Sequence, residues 1–122
     1  MLFEVRVQRK FRLTRSQDFK RVRQSGKSYA HPLIVLVAQA NDEMKVRVGV
    51  AAGRSVGTAV KRNRAKRLMR EAMRPLIPSL ASGWDLILIA RPALAASTLT
   101  DTRQALLNVL QRARLISNPN AA

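Results

Sequence analysis

The stretch Val60-Lys61-Arg62-Asn63-Arg64-Ala65-Lys66-Arg67-Leu68-Met69-Arg70-Glu71 sets six cations and one amide in sequence, with Arg74 following as a seventh cation. At about 100° per residue, Lys66, Arg70, Asn63, Arg74, Arg67 and Arg64 share one arc of a helix, and Ala65, Leu68, Met69, Ala72 and Met73 fill the opposite arc. The apolar arc calls for a core and the cationic arc for an anion. Like charges three and four residues apart repel and weaken an isolated helix by a few tenths of a kcal/mol per pair, roughly. An ordinary solvated face would interleave Glu to relieve that repulsion, and only Glu71 does so. A helix built this way is expected to face a polyanion.

Working outward, Thr58 is placed to cap this helix after the loop Gly53 to Gly57, and Pro75 and Pro78 end it near Arg74. Upstream, Tyr29 to Ala40 reads as one strand buried on much of both faces, with Pro32 at its start or at an edge. Asn41-Asp42-Glu43 reads as a turn. Lys45-Val46-Arg47-Val48-Gly49-Val50 then alternates strictly, so the two runs are expected to form a hairpin with Arg47 on a basic face. Downstream, Trp84 to Ala90 reads as a second buried strand, joined through the basic helix by a β-α-β crossover. Thr100 to Leu115 forms an amphipathic helix over the sheet, with Leu99, Leu106, Val109, Leu110 and Ala113 on one side.

At the N-terminal end, Thr14-Arg15-Ser16-Gln17 fits a capping box, Phe19 and Val22 lie three apart, and Gly26 suits a left-handed helix end. A first helix over about residues 15 to 25 follows from these signals. The expected organisation is a flexible basic arm over residues 1–12, a single domain over 13–116 and a frayed tail over 117–122.

The 122 residues hold 23 Lys plus Arg against 7 Asp plus Glu, a net charge of +16, so much of any folded surface must be positive. Nucleic acid is the first candidate partner and an anionic membrane surface the second. Arg outnumbers Lys, which favours bidentate phosphate and base contacts. No apolar run approaches the roughly 20 residues needed to span a bilayer, and the N-terminus does not read as a signal peptide. The absence of Cys rules out disulfides and a thiol nucleophile, and agrees with a cytoplasmic location.

An enzyme active site is not apparent. His31, the single imidazole, sits beside Pro32 and reads as a surface or structural residue. The seven carboxylates include no close pair beyond the turn dipeptide Asp42-Glu43. Ser55-Val56-Gly57 lacks the remainder of a phosphate-binding loop and reads as a lead into a helix N-terminus. Phe19 has two readings, packing against the sheet or stacking on a base at the edge of a basic cleft. Trp84 is expected in the core.

Arg62-Asn63-Arg64, completed by Lys66-Arg67-Leu68-Met69-Arg70-Glu71, resembles the arginine-rich signature of the bacterial ribonuclease P protein components. Arg12-Leu13 followed by Asp18-Phe19 and Gly26, and Arg47-Val48-Gly49-Val50 leading through Arg54 to Gly57, are further similarities. The resemblance implies an α/β fold, a two-layer sandwich with a small mixed sheet in the order helix-strand-strand-helix-strand-helix. It also implies a left-handed crossover, whereas about 98% of such connections are right-handed. It implies that the protein is the non-catalytic subunit of an endoribonuclease that removes the 5′ leader from precursor tRNA. The catalytic RNA subunit and precursor tRNA are the implied partners, and Mg²⁺ is held mainly by the RNA. Carried over by position, Arg54, Lys61, Arg62, Asn63, Arg64, Lys66, Arg67 and Arg70 would face the catalytic RNA. Arg12, Phe19, Arg23 and Arg47 would border a cleft for the single-stranded leader. Arg23 stands where many members carry a second aromatic, and Gly53-Arg54-Ser55 holds one cation where two are common. A structural ribosomal protein and a DNA-binding transcription factor are the competing classes, although a nearly all-cationic helix suits phosphate contacts better than base reading.

Overall fold

The structure, a computed structural model, describes residues 16–116. The expected arm, the Arg12 site and the tail lie outside those residues. The chain runs α1 (Ser16–Ser25), β1 (Lys27–Ala30), β2 (Ile34–Ala40), β3 (Val46–Ala51), α2 (Ala59–Met73), β4 (Trp84–Ala90) and α3 (Leu99–Arg112). Short 3₁₀ turns at Arg54–Val56, Arg74–Ser79 and Pro92–Ala96 join the later elements.

The run expected as a single strand is two. Pro32 has no N–H for a ladder, and the chain reverses at His31-Pro32-Leu33, where His31 N–H donates to Ile34 O at 2.9 Å and Leu33 N–H donates to His31 Nδ1 at 3.1 Å. His31 therefore serves the turn. β1 folds back antiparallel on β2, with Tyr29 opposite Leu36.

The four strands lie in the order β1-β2-β4-β3. β2 and β3 are consecutive yet unpaired with each other, which corrects the expected hairpin. β4 inserts between them, antiparallel to β2 and parallel to β3. The reason is burial: Leu86, Ile87 and Leu88 are fully buried, and a strand that is apolar on both faces over this stretch gains most at the centre of a sheet covered on both faces. The parallel β3-α2-β4 unit is the crossover expected from the strand-helix-strand order.

The apolar arc of α2 and the inner side of α3 cover one face of the sheet. Ala65, Met69, Ala72, Met73, Leu106, Val109 and Leu110 meet Ile34, Leu36, Val48, Leu86 and Leu88 in the main core. Trp84 packs half-buried at its margin, as expected for a core aromatic. On the opposite face α1 adds a partial third layer to the sandwich, with Val22 against Val37 and Ile87 and with Phe19, Val35 and Ile89 around them.

Gly26 corrects another expectation. It is not among the residues with positive φ. A Cβ there would lie 2.6 Å from Val22 O and 2.8 Å from Val37 Cγ1, so glycine is required because α1 ends directly against β2. Gly57, by contrast, has φ of 130°, a conformation that side chains disfavour, and it turns the chain into α2.

Candidate nucleic-acid interface

α2 begins where its sequence predicts: the Thr58 hydroxyl accepts from Lys61 N–H at 3.3 Å and satisfies one of the free donors of the first turn. With the apolar arc buried, Lys61, Asn63, Arg64 and Arg67 are exposed and Arg62, Lys66 and Arg70 partly so. Arg54 is exposed on the 3₁₀ turn just before the helix. Among the described residues, no carboxylate forms an ion pair with Arg54, Lys61, Arg62, Arg64, Lys66 or Arg67. Their charge is not cancelled within this part of the molecule.

Arg64 differs from its neighbours. Its Nε donates to Ala95 O at 2.8 Å and ties α2 to the 92–96 turn. The residue is exposed and is also tied to the fold through this bond.

Of the second set, Phe19, Arg23 and Arg47 belong to the other face of the sheet. Phe19 is half-buried on α1 among Val35, Ile89 and their neighbours, which gives it a packing role and leaves part of the ring open. Arg23 is exposed on α1. Arg47 points to the α1 side of β3, but it does not supply the free basic face that alternation suggested. Its Nε and Nη2 each donate at 2.9 Å to the two carboxylate oxygens of Asp85, and its side chain is 18% exposed.

Asp85 is what sequence reasoning missed. Fully buried at the start of β4, it also accepts from Asn41 Nδ2 at 2.8 Å and from Arg21, which in turn donates to Gln39 Oε1. Asp18 lies 3.5 Å from Arg21 and 3.7 Å from Arg47. Burial by itself would push the Asp85 carboxyl up; hydrogen bonds from Arg47, Arg21 and Asn41 outweigh it and hold the group below the ordinary carboxylate range. Hydrogen bonding to Asp85 likewise raises the Arg21 and Arg47 guanidinium values, against the opposing effect of their partial burial. One signal was available in the sequence: a lone carboxylate in the otherwise apolar run Trp84-Asp85-Leu86-Ile87-Leu88-Ile89-Ala90.

The α2 residues and the described members of the second set therefore lie on opposite faces of the sheet. Among the described residues, no three His, Cys, Asp or Glu side chains gather where they could hold a metal ion. No helix among them is long and apolar enough to cross a membrane.

A mixed sheet carrying a capped helix on which most cations lack a carboxylate partner among the described residues fits a basic protein of the nucleic-acid-binding class. Comparison narrows the class. The Ribonuclease P family model matches residues 7–114. The Ribonuclease P protein component of Herpetosiphon aurantiacus is 40% identical over 109 residues, 89% of each chain, and that of Brevibacillus brevis is 39% identical over 111 residues, 90% of this chain and 88% of the other. Among solved structures, the Staphylococcus aureus RNase P protein superposes with a TM-score of 0.77 at 28% identity, covering 88% of this chain and 98% of that one. The Thermotoga maritima RNase P protein gives 0.74 at 30% identity, covering 83% and 96%. The chain belongs to the ribonuclease P protein component family, which takes part in tRNA processing within a ribonucleoprotein nuclease.

Proposed function

We propose that the chain is the cytoplasmic protein subunit of ribonuclease P, holding the catalytic RNA with α2 and the precursor-tRNA leader on the α1 side of the sheet. The observation that carries this reading is the cationic surface of α2 and the preceding turn, where Arg54, Lys61, Arg62, Arg64, Lys66 and Arg67 have no carboxylate partner among the described residues. Arg54, Lys61, Arg62, Asn63, Arg64, Lys66, Arg67 and Arg70 would contact phosphates of the catalytic RNA. Phe19 and Arg23 would border the leader, with Arg12 joining them. Arg47 acts there indirectly, because Asp85 engages two of its nitrogens. Catalysis belongs to the RNA subunit in this reading, together with the Mg²⁺ it holds; the described residues offer no donor cluster for the ion. The β3-α2-β4 connection takes the left-handed sense that the family resemblance implies.

The protein's part is to lower the electrostatic cost of bringing two RNAs together, which otherwise falls to added cations. Reconstitution with a bacterial catalytic RNA tests this. The complex is expected to cleave precursor tRNA at lower Mg²⁺ than the RNA alone, while RNA-free protein is inactive. Efficient cleavage by the purified protein, or a complex with the Mg²⁺ requirement of the RNA alone, would reject the reading.

A further inference from the structure

A cavity of about 460 Å³ opens at the end of the sheet away from the Arg64 anchor, lined among others by Lys27, Tyr29, Trp84, Arg112 and Arg114. Trp84 starts β4 and the 92–96 turn follows its end, so the length of a seven-residue strand, roughly 20 Å, separates the cavity from the place where Arg64 ties down α2. Tyr29 and Trp84 are the chain's single tyrosine and single tryptophan, both half-buried. They share the cavity with three cations, and no carboxylate lines it. Its volume lies within the ~300–1,000 Å³ range of small-ligand pockets.

The end of α3 adds an independent observation. Leu115 N–H donates to Leu110 O at 2.9 Å and Arg114 N–H to Gln111 O at 3.0 Å, the paired bonds of a Schellman ending. The residue that must turn left-handed in such an ending is usually glycine, yet here Arg114 takes φ of 60°. An arginine in that backbone conformation is disfavoured, and this one lines the cavity. Arg112 is held in place by donation to Ala30 O at 2.6 Å.

We propose that this cavity binds one unpaired RNA nucleotide, its base against Tyr29 and Trp84 and its phosphate between Lys27 and Arg114. Aromatic faces accept any base, and cations beside them hold the backbone, the combination that single-strand binders use. The inference rests on the chain being an RNA-binding protein and assigns it a contact apart from α2, at the end of the sheet where α1 and α3 finish.

The single tryptophan makes the test direct. A short oligouridylate is titrated into the full chain, with Trp84 fluorescence read alongside anisotropy of the labelled RNA. Saturable quenching is expected. Arg114→Gly should weaken the quenching curve severalfold without lowering the melting temperature, since glycine suits the backbone there. Tyr29→Leu should weaken it about tenfold, the loss of one stacked base. Arg67→Ala on α2 should weaken binding of the catalytic RNA and leave the quenching curve in place, which separates this site from the α2 interface. RNA binding without quenching would overturn the proposal, as would an Arg114→Gly curve identical to wild type. Equal quenching by inorganic polyphosphate would also overturn it, by showing an anion site with no base in it.

Discussion

Two regions of this molecule are rich in arginine, and the fold gives them opposite electrical characters. On α2 and the turn before it, Arg54, Arg62 and Arg67 have no carboxylate partner among the described residues. Between α1 and the sheet, Arg21 and Arg47 converge on the buried Asp85, with Asp18 nearby. Those three guanidinium groups are available to phosphate; in the second region the guanidinium is largely committed to joining α1, β3 and β4. Counting cations along the chain does not distinguish the two roles, because one carboxylate at the right depth converts an RNA ligand into a structural tie.

The largest expected effect comes from breaking that tie. Asp85→Ala should cost about 3–5 kcal/mol of stability in urea unfolding, the usual consequence of stranding charges around a buried partner. A loss below about 1 kcal/mol would mean that Arg21 and Arg47 do not depend on Asp85, and the contrast between the regions would fail. The pH dependence follows in sign. A carboxyl held below its unfolded value, about 3.9, stabilises the fold above that pH and loses its contribution as the pH falls through the lower folded value. The stability advantage of wild type over Asp85→Asn should therefore shrink from pH 5 downward, and an advantage that stayed constant would contradict the lowered carboxyl.

Phe19 lies between the two characters, and its substitution sharpens the comparison. Half-buried against Val35 and Ile89, it should give up roughly 1–2 kcal/mol of stability on replacement by Ala. If a base also stacks on its open part, Phe19→Ala should weaken leader-bearing precursor by a further ~1–3 kcal/mol relative to mature tRNA. Equal weakening of both ligands would leave Phe19 with packing alone.

The smallest effects separate neighbours on α2. Arg67→Ala should leave the melting temperature unchanged and flatten the slope of log affinity for catalytic RNA against log salt by about 0.7–0.9 if one phosphate contact is lost. Arg64→Ala should flatten it similarly and also destabilise the free protein by about 0.5–1.5 kcal/mol, because its bond to Ala95 O disappears. If the two variants melt alike, the Arg64 bond contributes nothing net.

The elements governed by local rules were legible. Thr58 caps α2 because a hydroxyl can satisfy a free N–H of the first turn, and β4 spans Trp84–Ala90 because its apolar run has strand length. The basic helix was recognisable from its own periodicity, and the family signature lies within it. The turn at Pro32 was not legible, since a proline at a strand's start or edge and one between two strands look alike in a linear reading. Gly26 does follow the end of α1, but glycine is needed there for the close approach of Val22 O and of β2 and not for a left-handed turn.

What the sequence by itself determined is therefore the set of helices and most strands, the apolar and cationic arcs of α2, and the choice of a polyanion as partner. These depend on periodicity, capping and net charge, which are properties of neighbouring residues. Only the tertiary structure decided that β4 separates β2 from β3, that α1 takes the opposite face from α2, and that Arg47 is bound while Arg67 is not. Each of those depends on residues tens of positions apart: Arg47 meets Asp85 across 38 residues and Arg21 meets it across 64. Such meetings are set by which strands share a ladder and by the cost of burying an unpaired carboxylate, and neither is written in any local stretch of the chain.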